Sequence, residues 1–193
     1  MKTPFLIFGL LLNLLTLTNA SATSVLPISL EQLSVRAHLI FHAEVIGNEV
    51  RRDTQSGQIA TYTEFRIIDS IKGDVGSTHT IKQIGGRHEE SKIIMRVHGV
   101  PRFQTGKNYV VFLPEKSSLG FSSPLGLHQG SFSVLKIDGE QIVTNGSSLL
   151  RPTPTSAKTN KSVIQIPLAV KASNPTQSRL DDFMNTVRAY NVQ

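Results

Sequence analysis

The sequence predicts a mainly β chain with flanking helices, built as an antiparallel barrel or sandwich. Two long runs alternate apolar and polar residues with period two, at 39–46 and 59–71, and further short apolar runs follow between turns rich in Gly, Pro and Ser. An Asp138-Gly139 pair between two such runs is a strong hairpin signal. Strands this frequent, joined by connections too short for helical crossovers, belong to antiparallel sheets.

The first 22 residues stand apart. Lys2 supplies a positive start, Phe5 to Leu17 form an apolar run interrupted by Gly9, Asn13 and Thr16, and Ala20-Ser21-Ala22 offers a small-x-small cleavage pattern. This is the pattern of a secretory signal, so the chain is expected to be exported, to the periplasm or beyond, after cleavage near Ala22. The apolar run falls short of the ~20 residues a bilayer span needs, so no stable membrane anchor is expected. Residues 23–193 are then read as one β-rich domain, long enough for a real core. With no cysteine, that domain is held by burial and backbone pairing, without disulfides or thiolate metal sites.

Ser29-Leu-Glu-Gln32 is a capping box, flanked by Ile28 and Leu33 as a hydrophobic staple, and predicts a short helix over 29–37. From Leu39 the period becomes two. Leu39, Phe41, Ala43 and Val45 share one face of a half-buried strand, and His38, His42, Glu44 and Asn48 share the other with Ile40 and Ile46. A turn over 53–58 leads to the second alternation, with Ile59, Thr61, Thr63, Phe65, Ile67 and Ile71 on one side and Tyr62, Glu64 and Arg66 on the other. Lys72-Gly73-Asp74 ends it, and strands are expected at 78–84, 92–98, 109–113 and 130–136.

The Asp138-Gly139 turn sets a hairpin between 131–137 and 140–143. Residues 147–162, with Arg-Pro-Thr-Pro-Thr-Ser, are too polar to order themselves and are expected to be a flexible insertion. Val163 to Val170 returns as an edge segment limited by Pro167. A C-terminal amphipathic helix closes the chain over about 176–190. Asn174-Pro175 is its start, Ser178 and Asp181 a second cap, and Leu180, Phe183, Met184, Val187 and Tyr190 its apolar face.

The formal charge is +6, unevenly spread. Residues 23–140 carry 13 Lys and Arg against 12 Asp and Glu, whereas 141–180 carry Arg151, Lys158, Lys161, Lys171 and Arg179 with no acid. That basic segment has no aromatic residue to stack on bases, so no nucleic-acid partner is expected.

Neither Gly-x-Ser-x-Gly nor His-Glu-x-x-His occurs, and Gly85-Gly86 lacks the third glycine of a dinucleotide loop. His38 and His42 on one strand lie about 13 Å apart, too far to share a metal. His88-Glu89-Glu90 reads as a charged hairpin tip, and no cofactor or metal is assigned. The loops at 85–90 and 117–124 are long for hairpins, and loops on a rigid β scaffold carry recognition residues. Arg87, His88, Arg102 and Phe121 are the expected partner contacts.

Taken in order, the 37–45 and 61–73 stretches, Gly85-Gly86, Val100-Pro101-Arg102-Phe103 with Gly106, Val111-Phe112-Leu113 and Gln129-Gly-Ser-Phe132 resemble a group of uncharacterised exported bacterial proteins. The same order is similar to OB-like barrels of the netrin and metalloproteinase-inhibitor type. The resemblance covers roughly 33–136 and speaks to fold more than chemistry. Inhibitors of that type reach a catalytic zinc with an N-terminal cysteine, a residue this chain lacks. It also resembles type II secretion substrates, which cross a second membrane already folded. The expected function is a monomeric, non-enzymatic secreted or periplasmic module, an effector in that setting, that binds a protein or glycan. A protease-associated inhibitor or chaperone is the first alternative and an unrecognised hydrolase the second.

Overall fold

The computed structural model describes residues 26–146 and 177–192. The stretch expected to be a secretory signal, the insertion expected at 147–162, the edge segment expected at 163–170 and the Asn174-Pro175 helix start lie outside the described residues.

The capping box forms as the sequence dictates. Ser29 Oγ accepts from Gln32 N–H and Gln32 Oε1 accepts from Ser29 N–H, each at 3.1 Å, at the start of helix α1 (Leu30–Arg36). Ile28 and Leu33 join one apolar cluster. Strands β1 (Leu39–Arg52) and β2 (Ile59–Lys72) form a long hairpin, followed by β3 (Thr78–Ile84), β4 (Gly86–His88) and β5 (Ile93–Met95). Strand β6 (Asn108–Leu113) precedes a short 3₁₀ turn (Leu127–Gly130), β7 (Ser131–Ile137) and β8 (Glu140–Thr144). Strand β9 (Ser178–Arg179) leads into helix α2 (Leu180–Ala189).

Seven strands make one antiparallel sheet in the order β3-β2-β1-β6-β7-β8-β9, and β4 pairs with β5 in a separate ribbon. The sheet is not closed into a barrel: β3 and β9 stand at its two edges. Asp138 and Gly139, at φ 50° and 86°, make the tight turn between β7 and β8, the left-handed backbone that Asp and Gly tolerate.

Strand β1 is not half-buried as its alternation suggests. Leu39 to Ala43 are buried on both faces, because helices cover the face that carries Ile40 and His42. On that side Ile40, Val110, Phe112, Phe132 and Val143 pack with Leu33 of α1 and with Leu180, Phe183, Met184 and Val187 of α2. The opposite face buries Phe41, Ala43, Val45, Phe65, Ile81 and Val111 against Phe103 and Tyr109. Each fully buried phenylalanine here contributes roughly 1.5–3 kcal/mol.

Helix α2 docks through the apolar face expected of it, with Asp181 and Asp182 in its first turn. It begins later than 176, because Ser178 and Arg179 pair with Val143 and Ile142 at the sheet edge. The Ser178–Asp181 cap therefore does not form, and the Ser178 hydroxyl donates to Arg179 O instead. Among the described residues no helix is long and apolar enough to cross a membrane.

Candidate ligand cleft

One face of the β1–β2–β3 sheet changes character along its length. Its inner half carries Phe41, Val45, Phe65 and Ile81, all fully buried. A bulge between Val45 and Gly47 keeps Asn48 on that same face, where register pairs Asn48 with Thr63, Val50 with Thr61, and Thr61 with Gln83. The outer half is thus a polar floor on a face otherwise built for aromatics.

Most of the floor's groups satisfy one another. Thr63 Oγ1 donates to Asn48 Oδ1 at 2.7 Å, and Asn48 Nδ2 donates to Phe103 O at 3.1 Å and Thr105 Oγ1 at 3.2 Å. Thr61 Oγ1 donates to Gly85 O at 2.7 Å. Gln83 is the exception: it is 3% exposed, and its Nε2 has no hydrogen-bond partner among the described residues. A buried amide donor left unpaired costs about 1–3 kcal/mol, which a ligand acceptor would recover.

The β4–β5 ribbon folds back over this floor. Gly85 and Gly86 permit the reversal at φ 95° and 140°; a Cβ on Gly86 would lie 2.6 Å from Thr61 Oγ1 and from Val50 Cγ1. The ribbon and the 100–103 segment wall a cleft of about 300 Å³, lined by Arg87, Arg96 and Arg102 and by no carboxylate. Arg87 Nε lies 3.9 Å from Glu89 Oε1, an exposed pair worth little. Arg96 and Arg102 have no ion pair among the described residues.

Pro101 and Arg102 also line a second cleft of about 430 Å³, with Lys107, Asn108, His128, Ser131 and Ser133, again without a carboxylate. Arg102 is the ridge between the two. The near-neutral charge balance of residues 23–140 hides this local concentration of cations, which raises the potential inside a recess.

Of the four residues expected to contact a partner, Arg87 and Arg102 meet in the first cleft. His88 sits on β4 opposite Ile93, where its Nδ1 accepts from Ser91 N–H at 3.2 Å and lies 2.8 Å from Ser91 Oγ, holding the ribbon turn. The segment read as a loop at 85–90 is thus half strand. Phe121 lies elsewhere, its ring centroid 4.6 Å from Lys82 Nζ. There it covers a buried ion pair between Lys82 Nζ and Asp53 Oδ1 at 3.0 Å.

Asp53 also accepts from the Ser56 and Tyr62 hydroxyls, each at 2.6 Å. The Ser56 hydrogen bond first, then those of Tyr62 and Lys82, hold its carboxyl well below the usual carboxylate range. Burial, then Asp53, push the Tyr62 phenol up. This network locks the β1–β2 turn to β3.

Two histidines, buried His42 and half-buried His79, have a buried Nε2 with no hydrogen-bond partner among the described residues. Burial pushes the His42 imidazole below its ordinary pKa, against the opposing pull of Asp69, its cross-strand neighbour. Asp69 itself pairs with Arg188 of α2. Burial likewise lowers His79, whose ring packs 5.6 Å from that of Phe41, and Lys116 adds to the shift. Among the described residues no three His, Asp or Glu converge.

Sequence reasoning missed Arg96, Gln83 and the Asn48–Thr61–Thr63 floor. The available signal was Thr61 and Thr63 on the same face as Phe65 and Ile67, where hydroxyls interrupt an apolar stripe.

No protein-family model and no curated protein matches the chain.

Proposed function

We propose that the protein is an exported, non-enzymatic binding module that captures a protein or glycan ligand at the cleft between β3 and the β4–β5 ribbon. The observation that carries this reading is a carboxylate-free cleft whose floor of Asn48, Thr61, Thr63 and Gln83 interrupts a sheet face that is otherwise apolar, with Ile84, Ile94 and Val97 among its walls. A polar floor there costs burial that Val or Ile would provide, and a ligand-binding role accounts for that cost. The signal-like first 22 residues support export to the periplasm or beyond, with the type II route as a second step. The long, bulged β1, shared by β2 and β6, supports an OB-like curl of the netrin type, opened at the β3 edge.

The test is retention of the purified protein on a panel of glycans and exported proteins, with the double variant Arg87→Ala/Arg102→Ala alongside. The proposal expects retention by the wild type, at least tenfold loss in the variant at unchanged thermal stability, and no turnover of the retained ligand. Turnover, or equal retention by the variant, would overturn it.

A further inference from the structure

The geometry points to an acidic glycan, a chain of sugars bearing carboxylate or sulfate groups, as the ligand class of this cleft. The inference rests on the binding-module reading and narrows it. Arg87, Arg96 and Arg102 line the first recess, Lys107 continues into the second, and no Asp or Glu lines either. Guanidinium groups suit planar carboxylate and tetrahedral sulfate alike, because their N–H donors form a fork that matches paired oxygens. Two recesses joined at Arg102 fit an extended polyanion better than a single small anion.

The neutral polar groups decide between glycan and peptide. Gln83 Nε2 is buried and unpartnered among the described residues in the first recess, and the half-exposed side chains of Asn108, Ser131 and Ser133 line the second. A sugar acid brings one charge and several hydroxyls per residue, so it serves the arginines and these amides and hydroxyls together. An acidic peptide offers one N–H and one C=O per residue to the same groups, fewer than the several hydroxyls of a sugar acid, so the glycan serves more of them at once.

Calorimetry of the purified protein against four probes tests the inference: an oligogalacturonate, a heparin oligosaccharide, an uncharged dextran and poly-glutamate. Binding is expected to one or both acidic glycans, the pair telling carboxylate from sulfate, and at least tenfold more weakly to dextran and poly-glutamate. Affinity is expected to fall at least tenfold in Arg102→Gln and to weaken with added salt. Equal or tighter binding of poly-glutamate or dextran overturns the acidic-glycan class while the binding-module reading survives. Binding unchanged in Arg102→Gln and in Arg87→Gln/Arg96→Gln overturns the site. No binding of any probe overturns the inference, and the retention panel then judges the broader reading separately.

Discussion

The two halves of the β1–β2–β3 face share strands, register and twist, yet they do opposite work. The inner half closes over Phe41, Phe65 and Phe103, whose rings meet edge to face at 5.6 and 5.0 Å. The outer half presents Asn48, Thr61, Thr63 and Gln83 beneath a ribbon that carries arginines. Two devices make the change: the bulge at Val45–Gly47, which keeps polar Asn48 on the core face, and the Gly85-Gly86 reversal, which roofs the floor without filling it. Stability is concentrated in one half and the proposed recognition in the other, within a few residues along the same strands.

The largest test of that division is Phe65→Ala. It removes a fully buried ring at the centre of the inner half and is expected to cost about 3–5 kcal/mol in urea unfolding. A cost near zero would mean the inner half is not the core. Lys82→Ala comes next. It leaves the Asp53 carboxylate, 4% exposed, without its cation and is expected to cost about 3 kcal/mol in the same measurement. Gly86→Ala, at φ 140° and against Thr61 and Val50, is expected to cost about 1–3 kcal/mol and to weaken ligand capture as the ribbon lifts. Gly139→Ala meets open space, so its cost is set by its left-handed backbone alone, about 1 kcal/mol, with capture unchanged.

Acidification separates the halves differently. The folded-state pKa values of His42 and His79 lie below their ordinary 6.5, so the unfolded chain takes up the proton first. Their contribution is complete above about pH 6.5 and is lost as the pH falls below it. Thermal melts are expected to drop through that range, and the double variant His42→Gln/His79→Gln is expected to flatten the drop. A further loss belongs to Asp53, whose lowered carboxyl stabilises the fold above about pH 4 and ceases to do so as the pH falls below. The smallest expected effect on stability is that of Arg87→Gln and Arg96→Gln, within about 0.5 kcal/mol of wild type, because both side chains are exposed.

Much of the fold was legible because its signals are local. Ser29 and Gln32 form their box, Asp138-Gly139 makes its hairpin, and the period-two runs give β2 to within a residue of its ends and the start of β1, which continues past the alternation to Arg52. What was not legible depends on contacts distant in sequence. The burial of His42 follows from α2 packing on a strand that reads as half-exposed, and Ser178 enters the sheet because Val143 offers an edge. The cleft was legible by half: Arg87 and Arg102 stand out as loop cations, whereas Gln83 and Arg96 reach the same recess through the reversal at Gly85-Gly86. Phe121 reads as a loop contact and instead caps Lys82, since a buried cation's need for a π face leaves no trace in local pattern.

Amide hydrogen exchange with and without an acidic oligosaccharide tests the division of the sheet most directly. Added protection confined to 83–87, 94–97 and 100–104, with the amides around Phe41, Phe65 and Val111 exchanging at their unliganded rates, is the result predicted here. Protection gained instead at the Phe121 loop or on helix α2, with none at the ribbon, would contradict it.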